Sequence, residues 1–288
     1  MSNPSRGYLT MAVRKPRYVE MAVDMALSLR EHTPLPIAMA VDEGLAPEVR
    51  ERYGSVFDSI VLVPDQFLDG RALKYGSAAA TPFDETMFVD ADCFVLASLD
   101  GLWSVLEHAD MAMVGGQLTA SDDQNHHGFS TRRLIRRFAL DRYLKTNSGL
   151  FCFRREPGLR IMDECLECYL HEARPKLRGS LLFGRWLGDE IAFGIVGGRR
   201  GIQTFPDPSP MYWPPEFAGL DLTHPTKPLL HMIWPPPPHT LDALIAGARE
   251  RRKTAGVCGD GEAHWREEVR HLERMADRRR FLELLRWW

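Results

Sequence analysis

Five cysteines in 288 residues, at 93, 152, 165, 168 and 258, are too few and too scattered for a disulfide framework. The net charge is only −3. The basic character of a general nucleic-acid binder is lacking, and no nucleic-acid partner is expected. No apolar run approaches membrane-spanning length, and the stretch from Met1 to Gly7 lacks the apolar core of a signal peptide. A reducing cytoplasm is therefore the expected location. No Gly-rich phosphate loop lies near the N-terminus, and no internal repeat is visible. What is present is ordinary for a soluble globular chain. With 44% hydrophobic and 26% charged residues, it can bury a core as one large domain or two small ones.

Cys165 and Cys168, with His171 close behind, invite a zinc reading. The stretch from Leu159 to Glu172 reads as helix, and no second cysteine pair follows at a zinc-finger spacing. A packed helical role is the better reading.

The first half alternates strand and helix patterns, the signature of a parallel sheet covered by helices. Strands are expected at Gly7 to Val13, Pro36 to Val41, Ser59 to Val63, Met87 to Val89, Asp110 to Val114 and Asn147 to Arg154. Pro16 suits the first turn of a helix, and Val19, Ala22, Met25, Ala26 and Leu29 give that helix a buried face. Further helices are expected over Arg71 to Ala80, Thr131 to Leu144, Pro157 to Ala173 and Leu187 to Val196. Between Gln117 and Ser130 the chain is polar, with Asp122, Asp123, His126 and His127, and suits a lid or acceptor wall. Thr204 to Pro238 is proline-rich and extended. It separates a body, 1–238, from a helical extension, 239–288. In that extension Trp265, Val269, Leu272 and Met275 recur at helical spacing, and Phe281, Leu282, Leu285, Trp287 and Trp288 make its end apolar. Docking on the body or on a second subunit is favoured; contact with a membrane surface is the alternative.

The most informative segment is Glu-Thr-Met-Phe-Val-Asp-Ala-Asp-Cys, residues 85 to 93: an apolar strand delivering Asp90 and Asp92 to its tip. Carboxyl ends of central strands in α/β proteins open onto the crevice where ligands bind. Two carboxylates side by side repel unless a cation is present, and they can hold a divalent ion while leaving positions for a diphosphate. Other residues keep two readings. Asp189, before an apolar helical run, is either a reacting group or a helix cap. Asn147 either meets a ligand or satisfies a turn. His231 is a metal ligand or a core histidine. Tyr18 is a nucleotide platform or a core aromatic, and Lys74 a donor contact or a solvated helix residue.

In order along the chain stand Lys74, Asp90 with Asp92, Asn147-Ser148-Gly149, Gly188-Asp189-Glu190, and His231 after Lys227-Pro-Leu-Leu. Taken together with Tyr18-Val-Glu-Met-Ala and Ser28-Leu-Arg-Glu-His, they resemble the glycogenin-like retaining glycosyltransferases (glycosyltransferase family 8). The resemblance runs from about Tyr8 to His231. It implies the GT-A fold, a Rossmann-like mixed sheet flanked by helices, and transfer of a sugar from a nucleotide-sugar donor to an acceptor with retention. By this resemblance Asp90, Asp92 and His231 hold Mn²⁺, with Mg²⁺ the second choice, and Ala91 lies between them at the donor. Lys74, Asn147 and Ser148 meet the donor, Thr10 and Ala12 line the nucleotide pocket, and Tyr18 packs on the base. Asp189 and Glu190 occupy the catalytic position. The donor implied is UDP-linked; the acceptor is not specified.

Three departures stand out. Arg14-Lys15-Pro16 replaces the polar loop that reads uracil, Glu190 stands where the family often has glutamine, and Met232-Ile-Trp-Pro replaces a lysine-glycine pattern after the metal histidine. Two alternatives remain: a haloacid-dehalogenase-like phosphatase built on Phe88-Val-Asp-Ala-Asp, and a degenerate transferase fold that only binds.

Overall fold

The computed structural model describes residues 5–68, 72–181, 188–259 and 261–284. In chain order these form β1 (Arg6–Ala12), α1 (Pro16–Arg30), β2 (Ile37–Val41), α2 (Ala46–Tyr53) and β3 (Ser59–Leu62). Then come α3 (Ser77–Ala80), β4 (Glu85–Val89), β5 (Cys93–Val95) and β6 (Met111–Leu118). A small hairpin, β7 (Asn125–His126) and β8 (Phe129–Ser130), leads to α4 (Thr131–Arg137) and the long β9 (Tyr143–Arg154). The chain continues through α5 (Arg155–Glu167), α6 (Arg174–Leu181), α7 (Asp189–Arg200), β10 (Gln203–Thr204), β11 (Met211–Tyr212) and β12 (Leu229–His231). It closes with α8 (Pro238–Ala255) and α9 (Gly261–Leu284).

Seven strands among the described residues make the central sheet, in the order β10-β6-β9-β4-β1-β2-β3. β1 is parallel to β2 and β4, while β9 runs antiparallel to both β4 and β6. The sheet is therefore mixed. Its centre is buried on both faces, which is why β2 reads Ile-Ala-Met-Ala-Val with no polar alternation. Residues of β4 and β9 alternate between two cores. Phe88, Phe151 and Phe153 face one, with Phe88 and Phe151 stacked at 4.6 Å; Met87, Val89, Leu150 and Cys152 face the other, beneath α1. A second sheet, β11-β12-β5, lies beside the first.

Several boundaries differ from expectation. Leu73–Gly76 winds as 3₁₀ helix before the short α3, and Gly76 lies so close beneath Phe67 that a Cβ would sit 2.9 Å from it. The basic helix stops at Arg137 because Ala139 takes φ 50°, and Tyr143 and Leu144 join β9 instead. Opposite them β6 runs on to Leu118, past the expected end at Val114. Two short strands, β11 and β12, cross the proline-rich segment. Arg71 and Leu187, expected to begin helices, lie outside the described residues.

The helix carrying Cys165 and Cys168 packs both into the core, while His171 faces solvent beside Glu167. The tail docks on α1. Trp265 is fully buried and its indole N–H donates to Asp24 at 2.8 Å. Arg252 donates to Asp24 at 2.5 Å and to Glu20 at 2.8 Å, and Tyr53 also donates to Glu20. The residues from Phe281 to Trp288 lie beyond those whose side chains are described. No described helix is long and apolar enough to cross a membrane.

Candidate active site

Three chain segments converge at the carboxyl end of β4, and backbone pairing puts each in place. Asp90 N–H donates to the Gly149 carbonyl at 2.9 Å, joining the tip of β4 to β9. Antiparallel pairing of β12 with β5 sets His231 opposite Cys93, and Met232 N–H donates to the Asp92 carbonyl. His231 therefore reaches the aspartates through sheet register across a long stretch of sequence.

The Asn-Ser-Gly motif sits where β9 departs from its ladder. Met113 pairs with Phe151, yet Val114 pairs with Asn147, so β6 skips Ser148, Gly149 and Leu150. This bulge turns polar groups toward the crevice. Ser148 N–H donates to Glu190 Oε1 at 3.0 Å, and Gly149 N–H donates to Asn147 Oδ1 at 2.8 Å. Glycine is required at 149, because a Cβ there would lie 2.3 Å from His231 Nδ1. Across the ladder Gly115, at φ 151°, lets the strands close up; a Cβ would meet the Lys145 carbonyl at 2.3 Å.

Asn147 decides the state of His231. Its Oδ1 accepts from Gly149 and lies 2.9 Å from His231 Nδ1, so Nδ1 carries a proton and donates. Nε2 then faces the carboxylates: Asp92 Oδ1 at 3.1 Å and Asp90 Oδ2 at 3.9 Å. Asp92 Oδ1 is buried and has no donor in hydrogen-bonding geometry, the Nε2 contact included. A lone pair facing two carboxylates is repulsive unless a proton or a cation lies between them. Burial alone would lower the His231 pKa, but the Asp92 carboxylate outweighs it and raises it. Two carboxylates and one imidazole fit a divalent ion of the manganese type.

Asp92, Cys93 and His231 each bring a ligand atom within 4.8 Å of the others. Burial pushes the Cys93 thiol well up, so without a metal it stays protonated. Asp90 is turned toward Lys74, whose Nζ lies 2.5 Å from Asp90 Oδ2, 2.9 Å from Ser148 Oγ and 3.8 Å from Asp189 Oδ2. Burial would lower the lysine pKa, but Asp90 and then Asp189 prevail, and the ammonium is held above its ordinary range.

Asp189 is not the helix cap. Gly188 takes the cap position of α7, Asp189 follows as its first residue, and its Oδ2 is buried without a hydrogen-bond donor. Glu190 differs. Oε1 is taken by Ser148 and Oε2 faces His127 at 2.5 Å and His126 at 3.3 Å. Burial would raise its pKa, but these imidazoles hold it well below the ordinary carboxylate range. The polar loop that carries the two histidines thus returns to the first turn of α7. A cavity of about 440 Å³ opens beside it, lined in part by Asp123, Asn125, Ser130 and Arg133.

On the other side of the crevice, Tyr18 is half-buried under the guanidinium of Arg17, 4.9 Å from its ring. Thr10, Ala12 and Ala91 are buried around the strand ends, and Ala91 N–H donates to Asp90 Oδ1. Glu268 of α9 is buried here beside Arg17 at 3.4 Å, a neighbour that no spacing in the sequence foretold.

No family model matches the sequence, and the search of curated proteins returns no match. Solved structures do match. The galactosyltransferase LgtC, in complex with donor and acceptor sugar analogues, aligns over 91% of this chain and 99% of its own, at 16% identity and TM-score 0.58. The chain has the GT-A fold. The glycosyltransferase GlyE of Streptococcus pneumoniae TIGR4 aligns over 92% of this chain, at 12% identity and TM-score 0.52. The bifunctional glycosyltransferase WbbM aligns over 86%, at 12% identity and TM-score 0.51. This chain spans 63% of GlyE and about half, 52%, of WbbM. The expected resemblance to family 8 is thus met at the level of fold, and the GT-A sheet leaves the phosphatase alternative without support.

Proposed function

We propose that the chain is a metal-dependent retaining glycosyltransferase that moves a sugar from a UDP-linked donor to an acceptor. The observation that carries this reading is the orientation of His231. Its Nδ1–H is spent on Asn147, so Nε2 is aimed at Asp92 and Asp90, on a fold shared with sugar transferases.

Asp90, Asp92 and His231 would hold Mn²⁺ or Mg²⁺, which when bound supplies Lewis-acid neutralisation of the leaving diphosphate. Asn147 fixes the imidazole so that its free nitrogen stays on the carboxylate side. Lys74 joins Asp90, Ser148 and Asp189 and adds positive charge where phosphate charge develops. Asp189, whose buried Oδ2 has no hydrogen-bond donor and lies 3.8 Å from Lys74 Nζ, is the carboxylate available to stabilise positive charge at the anomeric carbon during front-face attack. Glu190 has both oxygens engaged, so its part is to hold the Ser148 bulge in place. Tyr18 offers a face for the base, and Thr10 and Ala12 set the floor of β1 beneath it.

Thermal stability measured with UDP and Mn²⁺ tests the reading. Wild type is expected to be stabilised and to hydrolyse the cognate UDP-sugar slowly without acceptor, and Asp92→Asn to do neither. Stabilisation without any turnover would instead assign a binding protein on a transferase fold. Indifference to every nucleoside diphosphate with metal would overturn the proposal.

A further inference from the structure

We infer that His126, His127 and Glu190 form a second cation site, separate from the aspartate pair and suited to Zn²⁺. Their ligand atoms lie within 4.8 Å of one another. His126 Nε2 is 3.3 Å from Glu190 Oε2, close to the roughly 3.4 Å that separates tetrahedral ligands held about 2.1 Å from zinc. His127 Nε2 is nearer, at 2.5 Å, and needs to open by less than 1 Å. Two imidazoles with one carboxylate is a donor set that favours zinc over magnesium or calcium, and three protein ligands leave a fourth position for water.

The surroundings hold these side chains as a metal site's outer partners do. Glu190 Oε1 is anchored by Ser148 N–H, which leaves Oε2 to face both histidines. His126 is buried, with Nδ1 2.7 Å from the Tyr143 hydroxyl. Tyr143 cannot retreat, because it lies against Gly194, where a Cβ would come within 2.3 Å of the ring. His127 sits at φ 51° in the hairpin turn, beside Gly128 at φ 86°, a conformation that turns its ring back over His126, 4.6 Å away.

The tautomers permit the exchange. Without a cation, His126 Nε2–H is shared between Glu190 and the Thr146 carbonyl at 3.1 Å, and Nδ1 accepts from Tyr143. When Nε2 binds a cation, the proton moves to Nδ1, and the same hydroxyl becomes the acceptor. The exchange releases the Thr146 carbonyl from His126. A bound cation would tie the β7–β8 hairpin to the first turn of α7, next to Asp189.

This inference does not depend on sugar transfer, and its test reads metal directly. The full-length protein is stripped with chelator and titrated with Zn²⁺ by calorimetry, and with Co²⁺ by visible absorption. Wild type is expected to bind one equivalent that Asp92→Asn and His231→Ala retain, with the intense absorption of four-coordinate Co²⁺. His127→Ala and His127→Gln, each checked for native circular dichroism, are expected to lose that equivalent or weaken it by roughly tenfold or more. Unchanged zinc binding in both His127 variants, or loss of all zinc in the Asp92 and His231 variants, would overturn the site. So would failure of wild type to bind.

Discussion

Gly149 and His231 touch: the imidazole lies where a side chain at 149 would be, 2.3 Å from the Cβ that alanine would add. The glycine of the Asn-Ser-Gly motif therefore makes room for an imidazole from another strand. Gly149→Ala is expected to push His231 off Asp92 and to abolish Mn²⁺-dependent stabilisation by UDP, with the fold retained. Unaltered metal titration in this variant would show that the contact is not needed.

Asn147 sets which imidazole nitrogen is free. Asn147→Leu removes the acceptor for Nδ1–H and lets the ring adopt the wrong tautomer. Metal affinity is expected to fall about 10–100-fold, the usual cost of losing an outer-sphere partner. Titration calorimetry with Mn²⁺ measures it.

On the proposed reading, proton and metal compete for His231 Nε2. Because the metal-free imidazole has a raised pKa, the proton occupies Nε2 below that value and leaves above it. Mn²⁺ affinity should accordingly be full at high pH and begin to fall while pH is still above the ordinary imidazole value of about 6.5. Below that point it should weaken roughly tenfold per unit. Affinity flat between pH 8 and pH 5.5 would contradict this ordering.

Lys74 bridges Asp90 and Asp189. Lys74→Met is expected to lower turnover by about 10²–10³, the range for losing one group that stabilises developing charge. Unchanged single-turnover rates would remove it from the reaction.

Arg252 neutralises two buried acids on α1. Arg252→Met removes the cation beside buried Asp24 and one of those beside Glu20, which keeps Arg52 at 3.1 Å, and a loss of about 3–5 kcal/mol is expected in urea unfolding. Replacing Asp24 by Asn in the same chain should recover part of it.

The alternation of strands and helices, and the apolar strand ending in Asp90 and Asp92, were legible because burial writes directly into hydrophobic period. The helix face of α1 and the packed Cys165 and Cys168 followed from the same rule. What could not be read was register. His231 meets Asp92 through β5 and β12, two strands of three residues each, too short to carry a pattern. The bulge at Asn147 needs the β6 partner to be seen at all, and for that reason β9 was expected to start four residues late. The pairing of His126 and His127 with Glu190 depends on a hairpin whose residues look merely polar. Long apolar elements announce themselves; short ones that aim functional groups do so only in three dimensions.

The bulge in β9 also fixes how long the motif must be. Strand side chains alternate, so deleting a single residue between Asn147 and Phe151 would rotate one flank by half a turn against the other. Phe151 and Phe153 would then trade faces with Leu150 and Cys152, and both cores would be wrong at once. The spacing of these residues is held as tightly as their chemistry.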